Sequence, residues 1–79
     1  MKKKYTSRQG QYLAFIYYYT KINGCAPAEA DIQRYFKVSP PSVHQMVITL
    51  ERENLIKRTP AKARSIRILI SAEELPSLV

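Results

Sequence analysis

Only Lys37, Val38 and Ser39 separate two stretches that both carry apolar residues at helical spacing, and the second of them opens Ser39-Pro40-Pro41. Ile32, Tyr35 and Phe36 mark the inward side of a short helix of about two turns. Val43, Met46, Val47 and Leu50 mark that of a longer one. A connection so short leaves room for a tight turn and nothing else. Ser39 supplies a hydroxyl cap, and Pro40 needs no N–H donor at the first helical position. Pro41 also fits, because the first four N–H groups of a helix have no partner inside it. The Ser39 cap should therefore reach Ser42, and Asn54 can end the helix.

Upstream, Thr6 or Ser7 can cap a first helix whose Tyr12, Phe15, Ile16 and Tyr19 face a core, and Asn23-Gly24 suits its left-handed end. The second helix has a poor cap in Ala28, although Glu29 and Asp31 suit the positive end of its dipole. Downstream, Leu55–Arg58 and Ser65–Ile70 have strand character, the latter turning Ile66, Ile68 and Ile70 to one face. Thr59–Arg64 is the loop between them, with Pro60 as punctuation and Lys62 and Arg64 at its tip. This order predicts an α+β, mainly α chain: a winged helix-turn-helix of three helices followed by a two-stranded β-hairpin wing. Residues 1–5 read as a basic N-terminal arm, 6–70 as the domain, and 71–79 as a loose C-terminal tail.

A chain of 79 residues supports one small core. Near this length about 60% of the unfolded chain's surface is buried, too little to spare for a large enclosed active site. No nucleophile, base and oxyanion set can be assembled, so an enzyme is not expected, and neither cofactor, metal nor small-molecule substrate is called for. Cys25 is alone and makes no disulfide framework, zinc site or redox pair. No apolar run approaches the length of a membrane span, and no signal-peptide core follows Met1-Lys2-Lys3-Lys4. The expected location is the cytoplasm, with the nucleoid.

The net charge of +7 comes from 13 Lys and Arg against 6 Asp and Glu, unevenly spread. Lys2, Lys3, Lys4 and Arg8 form one block; Lys57, Arg58, Lys62, Arg64 and Arg67 form another that no acid interrupts. Such blocks suit a polyanion, nucleic acid before membrane. With Val43, Met46, Val47 and Leu50 inward, steps of about 100° per residue turn Pro41, Ser42, Gln45, Thr49 and Arg52 outward. These groups are short or hydrogen-bonding, which lets a helix backbone approach the major groove. Gln45 can bridge N6 and N7 of adenine, against the plainer reading of a solvent-facing amide. Ser39, Ser42 and His44 flank it within reach of phosphate or base, and Ile48 can meet thymine methyls.

The stretch Ser39–Leu69, with its Val43-His44 pair early in the helix and Leu50, Leu55-Ile56, Lys62 and Arg64 in register, resembles the N-terminal DNA-binding domain of the LexA family of bacterial SOS-response repressors. Thr6–Gln9, Ile32–Phe36 and Glu73–Val79 are similar to that domain's opening, second helix and following linker. The resemblance implies a sequence-specific regulator of double-stranded DNA that represses by occupying an operator, with Lys62 and Arg64 as wing contacts. Pro41 departs from a usually small polar position and removes one N–H, and Ala28 replaces a usual hydroxyl cap. The chain is expected to stop where the family's self-cleaving Ser-Lys protease domain begins, and so to lack inducible cleavage.

The remaining feature is Phe15–Tyr19. If Tyr12, Phe15, Ile16 and Tyr19 face inward, Leu13, Tyr17 and Tyr18 lie on the other side, either covered by a core that wraps both flanks with the tail or exposed as the contact of a weak homodimer that doubles the readout. The alternative function is a winged-helix protein-interaction module that works through this tyrosine-rich face of the first helix.

Overall fold

The structure, a computed structural model, describes residues 4–79; Lys2 and Lys3 of the basic arm lie outside the described residues. Helix α1 spans Ser7–Asn23, α2 Glu29–Phe36 and α3 Pro40–Arg52, followed by strands β1 (Ile56–Lys57) and β2 (Arg67–Ile68). The fold is the expected winged helix-turn-helix.

Thr6, rather than Ser7, caps α1: its Oγ1 accepts from the Gln9 N–H at 3.1 Å, and Gln9 Oε1 accepts from the Thr6 N–H at 2.8 Å. This reciprocal box satisfies two donors that the helix cannot. Gly24 closes the helix at φ 75, where a Cβ would be strained. The Ala28 side chain offers α2 no cap, and Asp31 Oδ2 compensates from inside the helix by accepting from the Ala28 N–H at 2.9 Å. Lys37, left-handed at φ 56, then turns the chain towards α3.

At the start of α3 the two prolines leave Ser42 as the first available donor, and its N–H reaches Ser39 Oγ at 3.4 Å. At the other end, Asn54 is left-handed at φ 62, with Asn54 N–H bonded to the Glu51 carbonyl and Leu55 N–H to that of Leu50. That is a Schellman ending, and the buried pair Leu50 and Leu55 seals it.

Ile32, Val43, Val47 and Leu50 are fully buried together with Leu13 and Ile16, so the three helices share one core. Burying each such side chain is worth about 1.5–3 kcal/mol. Tyr12 stacks on Phe36 at 4.4 Å and Phe15 on Tyr35 at 4.6 Å. β1 lies beside α3 and β2 beside α1.

Three expectations need correction. Leu13 is completely buried, as is Ala14, because α1 is covered on both flanks. The tail is docked: Ala72–Glu74 forms a 3₁₀ turn, Leu75 and Leu78 pack against the core, and Gln11 bonds both Ser77 and Val79 at 2.8 Å. The close crossing needs a glycine, since a Cβ on Gly10 would meet the Tyr5 ring at 2.7 Å and Pro76 at 3.0 Å. The strands are shorter than their sequence suggested. Ala61 and Arg64 have φ of 63 and 55, and the Ser65 hydroxyl, bonded to the N–H and carbonyl of Thr59, replaces the backbone ladder there.

Candidate nucleic-acid interface

The outward face of α3 follows from its inward one. With Val43, Val47 and Leu50 fixed in the core, Ser39, Pro41, Ser42, His44, Gln45 and Arg52 are exposed and Thr49 is half-buried at the margin. The entry is slim as expected, with prolines and short hydroxyls and no acid in the first turn. Ser39 and Ser42 bond each other at 2.9 Å, which spends part of their capacity. Gln45 keeps its amide available, because its approach to Thr49 Oγ1 at 3.5 Å is too long to hold it. The Thr49 hydroxyl instead bonds back to the Gln45 carbonyl at 2.9 Å. Ile48 is half-buried.

His44 is less free than its neighbours. Its Nδ1 lies 3.2 and 3.3 Å from the Glu29 carboxylate oxygens, which ties α3 to the start of α2. Glu29 also lies 3.6 Å from Arg58, whose guanidinium donates twice to Glu51 Oε1, at 2.9 and 3.2 Å. The Arg58 hydrogen bond holds the Glu51 carboxyl below its ordinary pKa.

The two wing cations expected to act alike do different things. Lys62 is exposed and has no ion pair among the described residues. Arg64 folds back from the loop, and its Nη1 donates to Asp31 Oδ2 at 3.0 Å, Tyr19 Oη at 3.2 Å and the Ala26 carbonyl at 3.3 Å. It fastens the wing to α2 and α1. Asp31 is held below its ordinary pKa, first by the Ala28 N–H and then by Arg64, while Tyr19 and Asp31 raise that of Arg64.

Arg8 belongs to the site in a way its sequence block did not reveal. It sits in the first turn of α1, its guanidinium 5.9 Å from the Tyr12 ring centre, and borders with Pro41, Ser42, Gln45 and Thr49 a shallow groove between α1 and α3. The sequence shows Arg8 as a cation; only the helix crossing shows which face it joins. On the far side of α1, Tyr17 is half-buried and Tyr18 exposed, their rings edge to face at 5.1 Å. No helix among the described residues is long and apolar enough to cross a membrane.

Three packed helices, a tight turn before a slim-faced third helix and a short cationic wing define a winged helix-turn-helix DNA-binding domain. Residues 2–65 match the LexA DNA binding domain family, and the chain belongs to it. It is 38% identical to a LexA repressor of Thermosipho melanesiensis over 73 residues, 92% of this chain and 37% of that protein. Against the LexA repressor of Thermosipho africanus it is 39% identical over 67 residues, covering 85% of this chain and 34% of the relative. A third LexA repressor, from Petrotoga mobilis, is 37% identical over 71 residues, 89% of this chain and 34% of the relative. The chain thus spans about a third of the length of the curated relatives it matches. The matched unit is a DNA-binding domain.

Proposed function

We propose that this chain is a sequence-specific, double-stranded DNA-binding transcriptional repressor that acts by occupying an operator, in the cytoplasm at the nucleoid. The observation that carries the reading is the outward face of α3, where exposed Pro41, Ser42 and Gln45 project from a helix whose other side is locked in the core. Membership of a DNA-binding family and the relatives' description as repressors support it. In this reading Gln45 contacts base edges, Ser39, Ser42, His44, Thr49 and Arg52 flank it, and Arg8 and Lys62 meet phosphates to either side. Arg64 positions the wing.

One recognition helix reads a short site, and helix-turn-helix proteins extend their readout by placing two copies on two half-sites. A weak homodimer through Tyr17 and Tyr18, without Leu13, would serve. Selection of bound sequences from random duplexes tests the main reading: a single enriched motif is expected, with affinity falling steeply as salt rises. Retention of all sequences alike would reduce the chain to a nonspecific binder. Replacing Tyr17 and Tyr18 with Ser should lower cooperativity on two half-sites and spare binding to one.

A further inference from the structure

The second basic block divides in two once folded. Arg58 is paired with Glu51 and Glu29, and Arg64 with Asp31. Lys62 occupies the loop. Lys57 and Arg67 remain, and the strand register sets them directly opposite each other, Lys57 against Arg67, both exposed. Neither has an ion pair with an acid among the described residues, although four of the acids, Glu29, Asp31, Glu51 and Glu74, are engaged by other side chains. Like charges on facing strand positions destabilise a hairpin. Here they fall in a ladder whose strands have two residues each, so the repulsion acts on a short run of backbone pairing.

Such a pair gains when an anion bridges it. We propose that Lys57 and Arg67 together grip phosphates of the DNA backbone flanking the stretch read by α3, a second contact of the wing apart from its tip. The proposal rests on the DNA-binding reading above. Lys57 provides a compact charge and Arg67 a planar fork, two donors suited to phosphate oxygens. Both are solvent-exposed with no enclosing pocket, which disfavours a small free anion and suits a polyanion that delivers successive charges. The pair also continues into a third cation: Arg67 and Lys21 of α1 border one shallow groove, with Lys21 5.8 Å from the Tyr17 ring centre. Because β1 lies beside α3 and β2 beside α1, this line of charge leads away from the recognition helix, towards flanking backbone.

The test is Arg67→Glu, which turns the facing repulsion into an attraction. The melting temperature should rise by about 2 °C. Affinity for every duplex should fall about tenfold near 0.1 M salt, and the slope of log K against log salt should lose about 1 to 2. Phosphate-ethylation interference should weaken at flanking positions and persist beneath α3. Arg67→Gln removes one cation without introducing an acid and should lower the slope by about 1, which keeps the test open if the charge reversal perturbs folding. A rise in melting temperature with unchanged affinity, slope and interference in both variants would overturn the proposal and leave the pair a tolerated surface. If the parental chain and Gln45→Ala behave as a DNA reader should, that failure belongs to this proposal alone. A parental chain that ignores duplex DNA overturns the functional reading and this proposal with it.

Discussion

Helix α3 buries Val43, Val47 and Leu50 completely, whereas the wing beyond its two short strands is held by Arg58 on Glu51, Arg64 on Asp31 and Ser65 on Thr59. Core packing fixes α3 through contacts that salt and pH hardly touch. The wing depends on charge-assisted hydrogen bonds between groups that still meet water. The part that would read bases is therefore set rigidly, while the part that would meet phosphate is set by interactions that phosphate and salt can compete for.

The largest effect should come from breaking the rigid side. Leu50→Ala removes a fully buried residue that also seals the end of α3, and should cost about 2–5 kcal/mol in thermal or denaturant unfolding. It should take α3 and the wing together. A melt within a degree of the parental one would mean that the core does not fix this helix.

Gln45→Ala comes next and should leave the fold untouched. It should cost about 1–3 kcal/mol on the preferred site and relax choice at one or two base pairs. An unchanged motif from binding-site selection on the variant would remove Gln45 from the readers.

The Arg64–Asp31 contact that fastens the wing gives a smaller and more diagnostic effect. Asp31→Asn removes no cation, so a loss of duplex binding reports on the placement of the wing and of the start of α2 that Asp31 also caps. A loss of about two- to fivefold, equal on all sequences, is expected, of the size that weakened partly exposed pairs produce. Arg64→Ala should do the same, and the double variant less than the sum of the two, since both lose the Arg64–Asp31 contact while each also loses partners of its own. An additive double variant would return Arg64 to direct DNA contact. Lys62→Ala, by contrast, should lower the salt slope by about 1 on every duplex.

Acid gives the finest test. Asp31 and Glu51 are both held below their ordinary values of 3.8 and 4.5. A depressed folded pKa stabilises above the unfolded value and loses that contribution as pH falls through the folded one. The wing should be at full strength at neutral pH and loosen only below those ordinary values, while amides in the buried half of α3 stay protected. Hydrogen exchange resolved by residue would show it; uniform loss of protection across α3 and the wing would mean that the two regions unfold as one.

Much of this organisation was legible in the residues because it is governed by neighbours in sequence. Ser39 before two prolines, Asn54 after a helical stripe, Gly24 after α1 and the period of Val43, Val47 and Leu50 each act within a turn or two, where capping and periodicity have direct chemical meaning. The family resemblance rested on the same local runs, and the match over residues 2–65 agrees with it. The exposed positions of Ser42 and Gln45 followed once the inward stripe was known.

What failed was whatever depended on distant partners. The spacing alone leaves Leu13 either in a dimer contact or in a core that wraps both flanks of α1, and the fold decides for the core. The Arg64 partners Asp31 and Tyr19 stand 33 and 45 positions away, and the tail is held by Gln11 and Tyr35, 66 and 44 positions from Ser77 and Val79. A cation in a loop looks the same in sequence whether it faces DNA or turns inward. The sequence by itself determined where α3 begins and ends, where α1 stops and which side of α3 can face a groove, because those depend on bonds within a turn. Only the tertiary structure decided which cations are left free, because an ion pair forms where the packed helices happen to bring two side chains within about 4 Å.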